Sequence, residues 1–206
     1  MTAVKVCGLT RASDAHAAAQ AGVQALGLIF APSPRRVSPE QARRVLAGVP
    51  TTVLRFGVFV DQPWRWVRAL AQDLQLDRLQ FQGSEDDAYL RHFHPVQIVR
   101  ALRPRPGEKA PRRDPAPRAA ALLVDAWSPL AAGGTGLAAN WPYARALRRF
   151  PKTLILSGGL TPANVGDAIR RVGPDLVDVS SGVETRPGIK NPAKIRAFLD
   201  AVRRAG

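Results

Sequence analysis

Eight short apolar runs, each followed by a stretch that reads as a helix or a connection, constrain this chain more than any other feature. The candidate strands are Ala3–Cys7, Ala25–Phe30, Thr52–Phe59, Arg78–Gln82, Val96–Leu102, Ala120–Asp125, Thr153–Leu156 and Leu176–Ser180. Their apolar residues are continuous rather than alternating, which is the pattern of a parallel sheet whose outer face is covered. The intervening stretches carry helix-start signals. Ser38-Pro39 with Gln41 reads as an N-cap, a proline at the first helical position and a capping box. Thr161-Pro162 and Asn191-Pro192 repeat the cap-then-proline device, Thr10 and Asn140 are cap candidates, and Pro63 opens a third helix. Strands alternating with helices make right-handed βαβ units. Eight of them close a (β/α)8 TIM barrel; an open doubly wound sheet is the alternative. The expected architecture is one single-domain barrel over residues 1–206 with seven clear helices. The fifth unit is the exception. After Leu102 the chain runs RPRPGEKAPRRDPAPR, and its prolines predict a short or irregular fifth helix.

At 206 residues the chain is short for such a barrel, whose usual length is roughly 250 residues with a lower limit near 200. Tight loops are therefore expected. A single cysteine excludes an internal disulfide and fits a reducing cytosol. The first residues lack a signal-peptide pattern, and no apolar run approaches the roughly 20 residues that span a bilayer. A soluble, cytoplasmic protein is expected. The net charge of +14 attracts anions. Lysine occupies only five positions, so most of the basic residues are arginine, spread along the whole chain. That distribution reads as a solvated basic surface or as steering of a phosphorylated substrate, rather than as a nucleic-acid site.

In such a barrel the chemistry sits at the C-terminal ends of the strands and in the loops behind them. Polar and glycine residues fall at nearly every such end: Cys7-Gly8, Ser33 with Arg35 and Arg36, Asp61, Gln80 and Gln82-Gly83, Arg100, Asp125, Gly133-Gly134, Ser157-Gly158-Gly159, and Ser180-Ser181-Gly182. The glycines behind strands seven and eight occupy the recurrent phosphate position of these barrels. Glycine lets backbone N–H groups approach an anion, although a tight βα turn alone would also use it. Cys7 is a packing residue or a reactive thiol. Asp125, closing an apolar strand, is a cap or an acid in the barrel mouth.

These residues lie in segments that resemble phosphoribosylanthranilate isomerase from end to end. The matching segments are VKVCGLT at 4–10, ALGLIFAPSPRRVSPEQA at 25–42, GVFVD at 57–61, LQFQGSE at 79–85, LLVDAW at 122–127, GGTG at 133–136, LSGGLTPANV at 156–165 and VDVSSGVETRPGIKNPAKI at 177–195. The resemblance implies a cofactor-independent and metal-independent Amadori rearrangement of N-(5-phosphoribosyl)anthranilate in tryptophan biosynthesis. It implies Cys7 as general base, Asp125 as general acid and Arg35 on the anthranilate side. Lys5, Gln80 and Gly134 join the substrate-binding set, and Gly158, Gly159, Ser181 and Gly182 form the phosphate site. A thiolate base needs a lowered pKa, for which Lys5, two residues earlier on the same face, is the candidate cation. The partner is a small phosphoribosyl substrate, with no nucleic acid and no membrane, and the chain is a monomer or a homodimer.

The sequence departs from the family pattern at Gln82, where a histidine is common, so no titrating group at that position is required here. Asn140 replaces a common aspartate, and both cap helices. Two other functions are weighed. Another phosphosugar enzyme of this scaffold that used metal-binding histidines would want them at strand ends, whereas His16, His92 and His94 fall in or near helices. A basic nucleic-acid-binding protein would want exposed aromatics among its arginines; Trp64, Arg65, Trp66 and Arg68 come nearest and read better as a helix with a solvated basic face.

Overall fold

In a computed structural model, residues 1–127 and 139–206 are described. Eight parallel strands close a barrel in chain order, β1 (Ala3–Cys7), β2 (Ala25–Ile29), β3 (Leu54–Phe59), β4 (Arg78–Phe81), β5 (Ile98–Leu102), β6 (Ala121–Val124), β7 (Thr153–Leu156) and β8 (Leu176–Val179). β8 returns to β1 with Lys5 beside Asp178. The open-sheet alternative is thereby excluded. The helices are α1 (Ala12–Ala21), α2 (Pro39–Leu46), α3 (Trp64–Asp73), α4 (Asp87–Leu90), α5 (Trp141–Ala146), α6 (Val165–Val172) and α7 (Pro192–Ala205). Between β5 and β6 the proline-rich segment forms no helix, as its five missing or misplaced backbone donors dictate. The helix of the fourth unit, α4, is also reduced to a single turn. A short hairpin, β9 (Glu184–Arg186) with β10 (Ile189–Lys190), follows β8.

The helix starts follow local chemistry with three corrections. Ser38, Asn140 and Asn191 accept backbone N–H groups at the starts of α2, α5 and α7, each cap contributing about 1 kcal/mol. Gln41 does not complete a capping box; its amide donates to the Thr10 carbonyl and ties α2 to the loop after β1. Thr10 does not cap α1, because its hydroxyl is committed to the Gly188 carbonyl in the hairpin. Thr161-Pro162 opens a turn rather than a helix. α6 starts later, behind Asn164, whose side chain accepts from Thr161 N and donates to the Gly159 carbonyl.

Two apolar clusters hold the barrel. The larger lies between the outward faces of the strands and the helices. The smaller fills the interior with Ala25, Phe56, Val99, Ala101, Ala121, Leu123, Ile155 and Leu176. Because side chains alternate along a strand, the residue two places beyond each of several of these also points inward, one layer nearer the C-terminal end. On β6 that residue is Asp125, after Leu123; on β8 it is Asp178, after Leu176. The interior therefore changes from apolar to ionisable toward one end, and that end holds the candidate site. Among the described residues no helix is long and apolar enough to cross a membrane.

Candidate active site

Lys5 is fully buried, an unusual position for a long cation. Its ammonium donates to Asp178 Oδ2 at 2.8 Å and to Gln80 Oε1 at 3.0 Å, and lies 5.1 Å from the centre of the Phe56 ring. Burial works against its charge, yet Asp178 and Cys7 together hold its pKa above the ordinary value. Gln80 is thus a partner of Lys5 inside the barrel. Asp178 Oδ1 is buried with no hydrogen-bond partner among the described residues.

Cys7 stands one layer above Lys5 on β1. Space for both comes from Gly27 on β2: a Cβ there would lie 2.7 Å from Cys7 Sγ and 3.0 Å from Lys5 Cε. The expected lowering of the thiol pKa is not what the site produces. Burial pushes the Cys7 thiol up; Lys5 and Lys190 oppose this, while the Asp178 carboxylate reinforces it. The physical reason is desolvation: burial of the thiolate outweighs Lys5, the largest opposing influence, and the Asp178 carboxylate paired with that lysine adds to the rise.

Asp125 is buried at the end of β6, with Oδ1 accepting from Ala126 N at 2.8 Å. Burial raises its pKa to about 6, with Asp178 adding to the rise and the Ala126 N–H, Ser157 and Arg103 restraining it. Such a carboxyl holds a proton far more readily than a solvated aspartate. Asp178 acts electrostatically on both Cys7 and Asp125, so base candidate, acid candidate and the Lys5–Asp178 pair form one coupled group. Asp178 escaped the sequence reading because a lone aspartate in LVDV carries no motif; its inward phase behind Leu176 was the available signal.

Arg35 comes from the loop after β2 and is buried, with its guanidinium forked onto Glu184 at 2.9 and 2.7 Å. Its aliphatic stem lies across Gly8, where a Cβ would stand 2.5 Å from Arg35 Cδ and 3.1 Å from Ser180 Oγ. Gly8 also has a φ of +73°, a second reason for glycine beside Cys7. Glu184 and Lys190 belong to the SGVE…PG-x-K block, yet nothing in the order of residues announces that they meet Arg35.

The two glycine loops touch. A Cβ on Gly182 would collide with the carbonyl oxygen of Leu160, and it would sit 3.2 Å from Thr161 Cα. Gly158 and Gly159 have φ of +84° and +64°, and a Cβ on Gly158 would meet Ala126 N at 2.6 Å. Ser181 begins a single 3-10 turn, Ser181–Val183, directly behind β8. Gly134, with the rest of the GGTG segment, lies outside the described residues. Gln82 is buried, with its carbonyl oxygen accepting from Arg103 at 3.0 Å. Arg100, at a strand end in the sequence, is taken up by Glu85 and the Gly83 carbonyl. Trp64 is half-buried and stacks on His92, whereas Trp66 is exposed with one edge against Phe30 and Phe59.

Comparisons with known proteins agree along the whole length. The profile of the family described as "N-(5'phosphoribosyl)anthranilate (PRA) isomerase" matches residues 4–201. An N-(5'-phosphoribosyl)anthranilate isomerase of Syntrophus aciditrophicus is 46% identical over 99% of this chain and 88% of its own. That of Moorella thermoacetica is 42% identical over 100% of this chain and 91% of its own. The crystal structure of the phosphoribosyl anthranilate isomerase from Thermus thermophilus superposes with a TM-score of 0.88 at 34% identity, covering 100% of both chains. A phosphoribosyl anthranilate isomerase solved in complex with reduced 1-(o-carboxyphenylamino)-1-deoxyribulose 5-phosphate superposes with a TM-score of 0.82 at 33% identity, covering 99% of this chain and 100% of that one. The fold, the matched segments and these relatives together establish that the chain belongs to the N-(5'-phosphoribosyl)anthranilate isomerase family.

Proposed function

We propose that this chain converts N-(5-phosphoribosyl)anthranilate to 1-(2-carboxyphenylamino)-1-deoxyribulose 5-phosphate, with Asp125 as general acid and Cys7 as general base. Protonated Asp125 gives its proton to the ribose ring oxygen, the ring opens, and a Schiff base forms at C1′. The Cys7 thiolate then removes the proton from C2′. The resulting enolamine gains a proton at C1′ and loses the one on its C2′ hydroxyl to become the ketone, while Cys7 gives up its proton and Asp125 regains one by exchange with solvent. Each proton transfer is worth roughly 10²- to 10⁴-fold in rate. The observation that best supports this reading is the raised pKa of Asp125, about 6, at the inward end of β6. It makes a carboxyl group able to donate a proton near neutral pH.

Asp178 Oδ1, buried and without a partner among the described residues, offers an acceptor to a sugar hydroxyl, since a buried acceptor left empty costs free energy. Lys5 holds that carboxylate and Gln80 holds Lys5, and both belong to the substrate-binding set. Arg35 faces the anthranilate side. The loops carrying Gly158, Gly159, Ser181 and Gly182 bind the phosphate through backbone N–H groups, and Gly134 belongs to the substrate-binding set. The basic surface steers the anionic substrate and does not serve nucleic acid. The whole chain acts as one catalytic unit, as a monomer or homodimer, in the cytoplasm, where the thiol stays reduced.

Loss of anthranilate fluorescence from the substrate on adding purified protein tests the activity. The Cys7→Ala variant tests the role. Wild-type turnover by that variant, in a chain that still melts cooperatively, would remove the assignment of the base.

A further inference from the structure

Glu184 stands at the head of the hairpin after β8 and receives two buried cations. Arg35 donates to both of its oxygens, Nε to Oε1 at 2.9 Å and Nη2 to Oε2 at 2.7 Å. Lys190 donates to Oε1 at 2.7 Å, and Gly188 N donates to the same oxygen at 3.1 Å. Lys190 also reaches the Ser180 carbonyl and hydroxyl oxygens, both at 3.3 Å. All three charged side chains are nearly closed to solvent. Among the described residues, Glu184 is the one carboxylate these two cations pair with. Burial pulls the Lys190 pKa down while Glu184 holds it up; with Arg35 and Lys190 both protonated the ion-paired cluster carries one net positive charge in a poorly hydrated place, which is costly until an anion arrives. Its position is equally specific: the Arg35 stem crosses Gly8, the residue after Cys7, and Ser180 borders the same glycine.

We propose that Glu184 is a positioning residue that presets the Arg35 guanidinium for the carboxylate on the substrate's aryl ring. This rests on the reading of Arg35 as the anthranilate-side contact and adds how that contact is held. A forked pair uses the planar geometry of the guanidinium and fixes it about two axes, which a single contact does not. Lys190 shares the Glu184 charge, so the fork does not cancel the attraction of Arg35 for a second anion. Glu184 is held below its ordinary pKa against burial by Arg35 and Lys190, which keeps the clamp ionised.

Two inhibitors test this by calorimetry: the reduced product analogue bearing the ortho carboxylate, and the same compound with a plain phenyl ring. Wild-type protein binds the carboxylated compound more tightly by roughly tenfold or more, as expected for a charge-assisted contact. Glu184→Gln collapses this ratio toward one while leaving the affinity for the phenyl compound within about twofold. Arg35→Met does the same, and the double variant loses nothing further. A structural role alone would weaken both compounds equally. Glu184→Asp keeps the charge but loses the reach, and it serves if the amide variant does not fold. If Arg35→Met preserves the ratio, the assignment of Arg35 itself is wrong. If Arg35→Met abolishes the ratio and Glu184→Gln retains it in full, the positioning role alone is overturned; where the amide variant does not fold, full retention in Glu184→Asp decides the same way.

Discussion

Lys5 Nζ and Asp178 Oδ2 lie 2.8 Å apart inside a closed barrel, on adjoining strands and at the same register position. A buried pair of this kind adds little net stability, because desolvation offsets the attraction. Breaking it is another matter. Lys5→Met leaves the Asp178 carboxylate buried and unpaired, and the expected loss is about 3–5 kcal/mol in urea denaturation. Combining Lys5→Met with Asp178→Asn costs less than the sum of the single changes, since no charge is then stranded. Strict additivity of the two losses would show that the pair is not coupled.

The protonation states of Asp125 and Cys7 define a pH profile. Asp125 titrates near 6 and must act protonated; Cys7 titrates above its ordinary value and must act as thiolate. Below pH 6 the thiolate fraction falls with each unit of acid, so kcat/KM falls. Between the two pKa values the loss of protonated Asp125 balances the gain in thiolate, and the rate is flat. Above the Cys7 pKa only the loss of protonated Asp125 remains, and the rate falls again. The expected profile is a plateau bounded by limbs near 6 and on the alkaline side, with the two values belonging to the coupled pair. Asp125→Asn should remove both the break near 6 and the alkaline fall, so that whatever activity survives rises with pH up to the Cys7 pKa; a break retained near 6 would assign it to another group.

Asp125 also carries a stability cost. Its folded pKa, about 6, lies above that of an unfolded aspartate, 3.8. The folded state therefore binds the extra proton, and stability falls as pH rises between those values, then stays low above 6. Replacing the carboxyl with an amide removes that cost. Asp125→Asn should be more stable than wild type at pH 7.5, by up to about 3 kcal/mol, and indistinguishable near pH 4. Equal melting temperatures at both pH values would refute the burial argument.

Gly182 tests the contact between the two glycine loops. An added methyl at that position strikes the Leu160 carbonyl, a backbone group that cannot swing aside. The loops must separate, at a cost of order 1–3 kcal/mol. Gly182→Ala should raise KM for the phosphorylated substrate by roughly tenfold to a hundredfold, with inorganic phosphate weakened as a competitive inhibitor in parallel. A normal phosphate inhibition constant would move the anion site elsewhere.

Much of this protein was legible in the order of its residues. Helix starts at Ser38, Asn140 and Asn191 depend on contacts within one turn, so local chemistry suffices to place them. Strand runs such as Ala3–Cys7 and Thr153–Leu156 end where they were expected to end, because a parallel strand covered on both faces is mostly apolar, with Lys5 the inward exception on β1. The prolines between Leu102 and Ala120 likewise forbid a helix wherever they are put. Thr10, Gln41 and Thr161 went the other way, each diverted from a local role by a partner or turn that local propensity does not weigh. What tertiary structure alone decided was the pairing of charges. Lys5 meets Asp178, and Arg35 meets Glu184 with Lys190, because barrel closure brings β8 and its hairpin back against β1 and the β2 loop. Burial and those pairings together set the direction in which each pKa of the site moves. A residue's type and its neighbours in sequence specify which charge it can carry, while only the closed barrel specifies the dielectric and the counter-charge it meets.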